Sequence, residues 1–140
     1  MRSATKVDPQ AIADDFRTAM KGSLADEHID AGVNTILSTT GTYPASLIFY
    51  PTLQVIIRRG ETFTGNSPCG SNQGIVFGDV YTDDTARLYR DTVTFEFQAT
   101  PVYISVLFFD KNSNLLGHFQ ATAVSVVTGV GAGSGKWSQA

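Results

Sequence analysis

The stretch Asp91-Thr-Val-Thr-Phe-Glu-Phe-Gln-Ala-Thr-Pro-Val-Tyr-Ile-Ser-Val-Leu-Phe-Phe-Asp110 holds two strands of different character on either side of one proline. From Asp91 to Gln98, Val93, Phe95 and Phe97 share one face while Thr92, Thr94, Glu96 and Gln98 share the other. This is the period-two pattern of a strand with a dry side and a wet side. From Val102 to Phe109 both faces are apolar, so this strand must be covered twice, by a core within and by the N-terminal segment or a partner outside.

Reading outward, Asp110-Lys111-Asn112-Ser113-Asn114 is a turn cluster, and Leu115 to Thr128 resumes strand-like sequence to complete a hairpin. Upstream, Ile56 to Phe63 is another hairpin signal, the run Gly65 to Gly70 is a loop, and Gly74 to Tyr81 is a strand. Pro51 marks a bend or an edge position. One short helix interrupts the sheet over Asp83 to Arg90, with Thr82 as N-cap, Asp83 and Asp84 at its N-terminus, and Arg87 and Arg90 toward its C-terminal end. Candidate strands fall near 43–50, 52–59, 61–65, 73–81, 91–98, 102–110, 114–121 and 123–130. Eight antiparallel strands in about 100 residues predict a mainly β protein, a small closed barrel, because closure alone removes the sticky edges.

The chain has 140 residues, and its composition changes near position 40. The first 40 residues carry 4 basic and 6 acidic side chains, whereas 14 of the 15 aromatics and 11 of the 13 glycines lie beyond. The division is therefore a polar, partly helical extension over 1–40 and the barrel over 41–140. Asp8 as N-cap and Pro9 at the first helical position open an amphipathic helix carrying Ile12, Phe16, Ala19 and Met20 up to Gly22. A second helix starts at Ser23, paired with Asp26 in a capping-box-like arrangement, and continues through Ile29, Val33, Ile36 and Leu37. Gly32 and Val33-Asn34-Thr35 fit a strand at least as well.

A net charge of -3 speaks against a nucleic-acid partner. The single cysteine, Cys69, excludes an intrachain disulfide and a cysteine-only zinc site. No run approaches the roughly 18 apolar residues of a transmembrane segment, and no signal-peptide core is visible at the N-terminus.

Residue chemistry offers little for catalysis. In the tail from Gly129 to Lys136, a phosphate loop would need glycine where Val130 stands and Ser or Thr where Trp137 stands. The tail reads better as a glycine-rich last strand closed by Trp137. His28, His118 and Cys69 lack ligand spacing, and His118, opposite Phe119 on its strand, fits a hydrogen-bonded structural imidazole. Arg87-Leu88-Tyr89-Arg90-Asp91 holds the densest polar chemistry. Its expected role is to satisfy backbone groups at the helix–strand junction through Arg90 and Asp91, while Leu88 and Tyr89 pack the helix onto the barrel end. No catalytic, cofactor or metal site is expected.

These residues also carry a resemblance. Arg87-Leu88-Tyr89-Arg90-Asp91-Thr92, Pro101-Val102-Tyr103-Ile104, Phe108-Phe109-Asp110, Leu116-Gly117-His118 and the ending that contains Gly133, Gly135 and Trp137 are similar, in order and spacing over residues 75–137, to the virulence-associated (Vap) proteins of rhodococcal pathogens. The resemblance implies an eight-stranded barrel with Greek-key connections, a filled interior and one short internal helix. It also implies a secreted or cell-surface protein linked to survival inside host phagocytes, without established enzymatic activity. The matched residues then determine the fold. Family precursors carry a signal peptide and a polar N-terminal stretch, whereas residues 8–30 here read as helix.

The leading expectation is a non-enzymatic effector whose outer barrel surface acts on a host membrane lipid or host protein. The alternative is a lipocalin- or dirigent-like barrel binding a small apolar ligand, and the barrel interior discriminates them: packed for the first, hollow for the second. For the membrane branch, the expected apolar surface is Phe108 and Phe109 or the face of helix 9–21. Protonation of His28 and His118 near pH 5 would remove the charge repulsion there.

Overall fold

The computed structural model describes residues 8–48, 52–66, 74–100, 103–122 and 129–139. Cys69, Pro51 and the first part of the expected strand 123–130 lie outside them. The described strands are β1 (Thr42–Ile48), β2 (Leu53–Ile57), β3 (Thr62–Gly65), β4 (Ile75–Tyr81), β5 (Thr94–Ala99), β6 (Tyr103–Phe109), β7 (Leu115–Thr122) and β8 (Gly129–Ser138). They close into an antiparallel barrel in the order β1-β2-β3-β8-β5-β6-β7-β4. This order is two Greek keys, β4-β1-β2-β3 and β8-β5-β6-β7, each with its fourth strand beside its first. The keys meet where Thr62–Gly65 pairs with Gly135–Ser138 and where Asp79–Tyr81 pairs with His118–Gln120.

The barrel interior is filled. Leu47, Leu53, Val55, Phe63, Phe95, Phe97, Phe108 and Phe119 are all buried there. Rings of this size fit because β8 presents glycine toward them: Gly133 sits across from Phe95 and Gly131 across from Phe97. A Cβ on Gly135 would come within 2.6 Å of the Phe63 ring and 2.4 Å of the Thr64 carbonyl oxygen. The glycine-rich tail is thus the eighth strand itself, placed further along the chain than 123–130.

Every residue of β6 is buried, as its two apolar faces require. Ile104, Val106 and Phe108 point inward, while Leu107 and Phe109 point outward, with Leu115 of β7, onto a second apolar cluster. That cluster is built by α1 (Pro9–Met20) and α2 (Asp26–Ser38) through Ile12, Phe16, Met20, Ile29 and Ile36. The Phe16 and Phe109 rings stack at 6.3 Å. Neither Phe108 nor Phe109 offers an apolar surface, and the apolar face of helix 9–21 is buried on the barrel. The expected membrane-facing surfaces are therefore internal packing.

The helices begin by different devices. Asp8 caps α1 as expected, accepting a hydrogen bond from the Gln10 N–H at 3.1 Å, with Pro9 in first place. The Ser23–Asp26 capping box does not form. The Met20 carbonyl instead accepts from the N–H groups of Ser23 and Leu24, Gly22 takes a left-handed φ of 89°, and α2 starts at Asp26 after Ala25. Gly32 belongs to a helix after all: a Cβ there would lie 2.5 Å from the Phe16 ring, so the glycine sets how closely α1 and α2 cross. Ala19 and Leu37, expected on apolar faces, are exposed.

The internal helix, α3, spans Thr85–Asp91 and is capped by Asp84, not Thr82. Thr82 is buried, with its hydroxyl donating to the Leu116 carbonyl at 3.0 Å. Asp83 accepts from the N–H groups of Thr40 at 3.0 Å and Gly41 at 2.7 Å, fixing the entry into β1 and lowering its own pKa through those bonds. Because α3 runs through Asp91, β5 starts only at Thr94. Val93 falls outside the strand and is 40% exposed, so it does not share the interior with Phe95 and Phe97.

Candidate functional site

The matched segment at α3 closes one end of the barrel. Leu88 is fully buried among the core residues, and Tyr89 tilts over Trp137 at 5.3 Å. Gly60, in the β2–β3 turn, makes room for Tyr89: a Cβ there would lie 2.6 Å from the phenol oxygen. Trp137 is held among Phe63, Phe108 and Tyr89. The Thr92 hydroxyl donates to the Leu88 carbonyl at 2.6 Å, ending the helix inside the protein. Gly117 allows a close strand approach, since its Cβ would meet the Tyr81 carbonyl oxygen at 2.9 Å.

Arg90 and Asp91 do not satisfy backbone groups, contrary to expectation. They pair with each other at 2.9 and 3.1 Å on the surface, because the late end of α3 turns both outward. The Arg90 guanidinium lowers the Asp91 pKa through that bond. The latch is Arg87, which reaches Asp91 at 3.8 Å and Asp110 at 3.5 Å and so ties α3 to the β6–β7 turn. Asp110 organises that turn, accepting from the N–H groups of Asn112 and Asn114 and from the Asn114 amide. Partial burial pushes the Asp110 pKa up, but those donors and Arg87 together bring it below the ordinary value.

His118 points away from the barrel interior, yet it is buried. Its ring stacks on Tyr81 at 5.2 Å, and Nδ1 lies 2.9 Å from Nε2 of Gln120, which also donates to Ser105 at 2.9 Å. Nε2 of His118 and Oε1 of Gln120 have no partner among the described residues. Burial lowers the His118 pKa to about 4. The imidazole is buried and hydrogen-bonded, and it stays neutral near pH 5 in this fold, so it does not supply the charge change expected at that pH. Among the described residues no three His, Cys, Asp or Glu side chains come together to hold a metal ion, and no helix is long and apolar enough to cross a membrane.

The exposed apolar surface lies elsewhere, on the outer face of β1, β2 and β4. Phe77 is 72% exposed and Ile75 52% exposed. In register, Ser46 stands between Ile56 and Phe77, and this small residue between two large ones opens a cleft of about 500 Å³ that Pro44 and Arg58 help to line. Arg58 and Arg59 stand exposed in the turn at its end, with no carboxylate partner among the described residues. Arg59 holds a left-handed φ of 63°, a conformation more usual for glycine or asparagine. Reasoning from the sequence missed this surface. The available signal was Ile75-Val76-Phe77, apolar at both strand parities like β6 but with no described element laid over it.

Comparison with known proteins agrees with this architecture. The family model of the Rhodococcus equi virulence-associated protein matches residues 2–138. The solved structure of virulence-associated protein VapB from the intracellular pathogen Rhodococcus equi is 33% identical, with a TM-score of 0.64, over 71% of this chain and 98% of that one. VapD from the same pathogen is 28% identical, with a TM-score of 0.57, over 70% of this chain and 97% of its own. No curated protein matches the chain. With a family match that takes in the N-terminal helices as well as the barrel, the chain belongs to the family of Rhodococcus equi virulence-associated proteins.

Proposed function

We propose that this protein is a non-enzymatic, secreted or cell-surface effector that acts on a host membrane through the outer face of its barrel. The observation that carries the reading is the pairing of a filled interior with the Phe77 face. A core packed with phenyl rings among the described residues supports this reading over that of a lipocalin-like barrel holding a small apolar ligand. Exposed Phe77, with Ile75 further along the same strand and the guanidiniums of Arg58 and Arg59, which pair with no carboxylate among the described residues, at the turn, forms an apolar patch with a cationic edge, suited to a lipid surface carrying anionic headgroups. The net charge of -3 opposes approach at pH 7, and carboxylate protonation relieves it as pH falls.

Co-sedimentation with vesicles of phosphatidylcholine and phosphatidylserine tests the reading. The bound fraction should rise between pH 7 and pH 5, and Phe77→Ser should reduce it severalfold without changing the thermal unfolding temperature. Equal absence of binding at both pH values would turn the search to a host protein contacting the same face.

A further inference from the structure

Ser105, His118 and Gln120 alternate along their strands with the inward-facing Ile104, Val106, Phe119 and Ala121, so they face away from the barrel core. Yet all three are at most 3% exposed. Only an outer layer can bury residues so placed, and among the described residues α2 supplies more of the helix packing on β7 than α3, which touches it at the barrel end. This layer therefore seals an interface of two kinds: apolar contacts of Phe16, Leu107, Phe109 and Leu115 with their neighbours, and a polar cluster in which His118 Nε2 and Gln120 Oε1 have no partner among the described residues. Water would satisfy both atoms if the helices lifted, so the polar part opposes docking while the apolar part favours it.

We propose that α1–α2 is an acid-released cover on the β6–β7 face, with the His118–Gln120–Ser105 cluster beneath it as the trigger. A second proton on the ring forces the cluster to rearrange. With Gln120 Nε2 toward His118 Nδ1, the ring proton is on Nε2, and protonating Nδ1 sets donor against donor until the amide turns over.

Among the described residues no facing group offsets the charge. From β4 come Tyr81, stacked on the ring, and Asp79, which has an interaction of its own. From β6 come Ser105 and Leu107. From α1 comes Asp15, bonded to the Tyr103 hydroxyl. The buried face of α2 offers only Ile29, Gly32, Val33 and Ile36, while its Asp26, Glu27 and Asp30 are exposed and His28 is half-buried. Burial alone accounts for the shift of His118 from 6.5 to about 4. The lifted form takes the proton more readily than the docked form, so docking weakens as pH falls from 6.5 toward 4, by up to about tenfold per pH unit.

Hydrogen-exchange mass spectrometry on the full chain between pH 7 and pH 4.5, corrected for intrinsic exchange, tests this. Protection of amides in 29–38 should fall by an order of magnitude or more while β5 and β8 keep theirs, and His118→Gln should flatten the change. An NMR titration of the His118 ring in the unmutated protein provides a second measure: its protonation should track the loss of helix protection. Helix protection that stays constant while His118 titrates would overturn the proposal. So would simultaneous loss in helices and barrel, or an unaltered pH dependence in His118→Gln.

Discussion

Gly133 lies directly across the β5–β8 ladder from Phe95, and a Cβ at Gly133 would come 3.0 Å from the Phe95 ring. The glycine supplies space inside the barrel, and its neighbour along the strand, Gly135, supplies it against a backbone oxygen as well.

A ring can shift by a few tenths of an ångström, whereas a carbonyl oxygen held in a strand cannot. Gly135→Ala should therefore cost more than Gly133→Ala, with the former on the order of 1 to 3 kcal/mol, the usual range for overpacking. Ala132→Gly, on the outer face of the same strand, should leave the fold intact. Urea denaturation of the three variants ranks them, and equal effects of the two glycine changes would contradict this account of β8.

The second expectation concerns the end of α3. Leu88→Ala should lose about 2 to 5 kcal/mol by opening a cavity in the core, and Thr92→Ala about 1 kcal/mol through its buried hydroxyl. Arg90→Ala should leave the unfolding midpoint close to that of the parent, because its pair with Asp91 is solvated, and Asp91→Ala should lower it slightly by also removing a partner of Arg87. A large loss from either surface substitution would show a contact beyond these ion pairs.

A fragment of residues 41–140 should unfold cooperatively with a strand-dominated far-UV spectrum. VapB matches over nearly its whole length while taking up 71% of this chain, about the length of that fragment. Removing the helices uncovers Leu107, Phe109 and Leu115, so the fragment should also bind a hydrophobic dye more strongly than the full chain. Loss of the cooperative transition would make α1–α2 part of an indivisible core.

Acid should weaken the protein in two windows. The folded-state pKa of His118 is depressed from 6.5 to about 4, so the unfolded chain binds the proton first and stability falls between those values, by about 3 kcal/mol at most. Asp83, Asp91 and Asp110 also have depressed values, so the stability they contribute is present above 3.8 and is lost as pH falls further through their folded-state pKa values. Denaturation midpoints taken from pH 7.5 to pH 3 should show both declines, with His118→Gln removing only the upper one. A flat profile between pH 6.5 and pH 4 would mean that His118 is hydrated in the native state.

Much of this architecture was legible in the chain because period and parity are local. The double apolar face of Val102 to Phe109 demanded an outer cover, and the N-terminal helices supply it. The internal helix was displaced by about two residues because Thr82, Asp83 and Asp84 are all competent caps, and the choice rests on distant partners: Leu116 takes the Thr82 hydroxyl, and the Thr40–Gly41 amides take Asp83. The fate of Phe77 was invisible for the same reason. Phe109 and Phe77 sit in equally apolar strands, and only the path of α1 and α2 across the barrel decides that one is buried and the other exposed.

The strand order also bears on how the chain matures. β8 is inserted between β3 and β5, strands that precede it by many residues, and it joins the two Greek keys on that side. Until residues 129–138 have left the ribosome, β3 and β5 each retain an open edge and Phe63 and Phe95 lack the glycines that make room for their rings. A chain that still lacks β8 therefore cannot close its barrel, and any product ending before Gly129 is a sheet with two free edges, prone to pair with its copies.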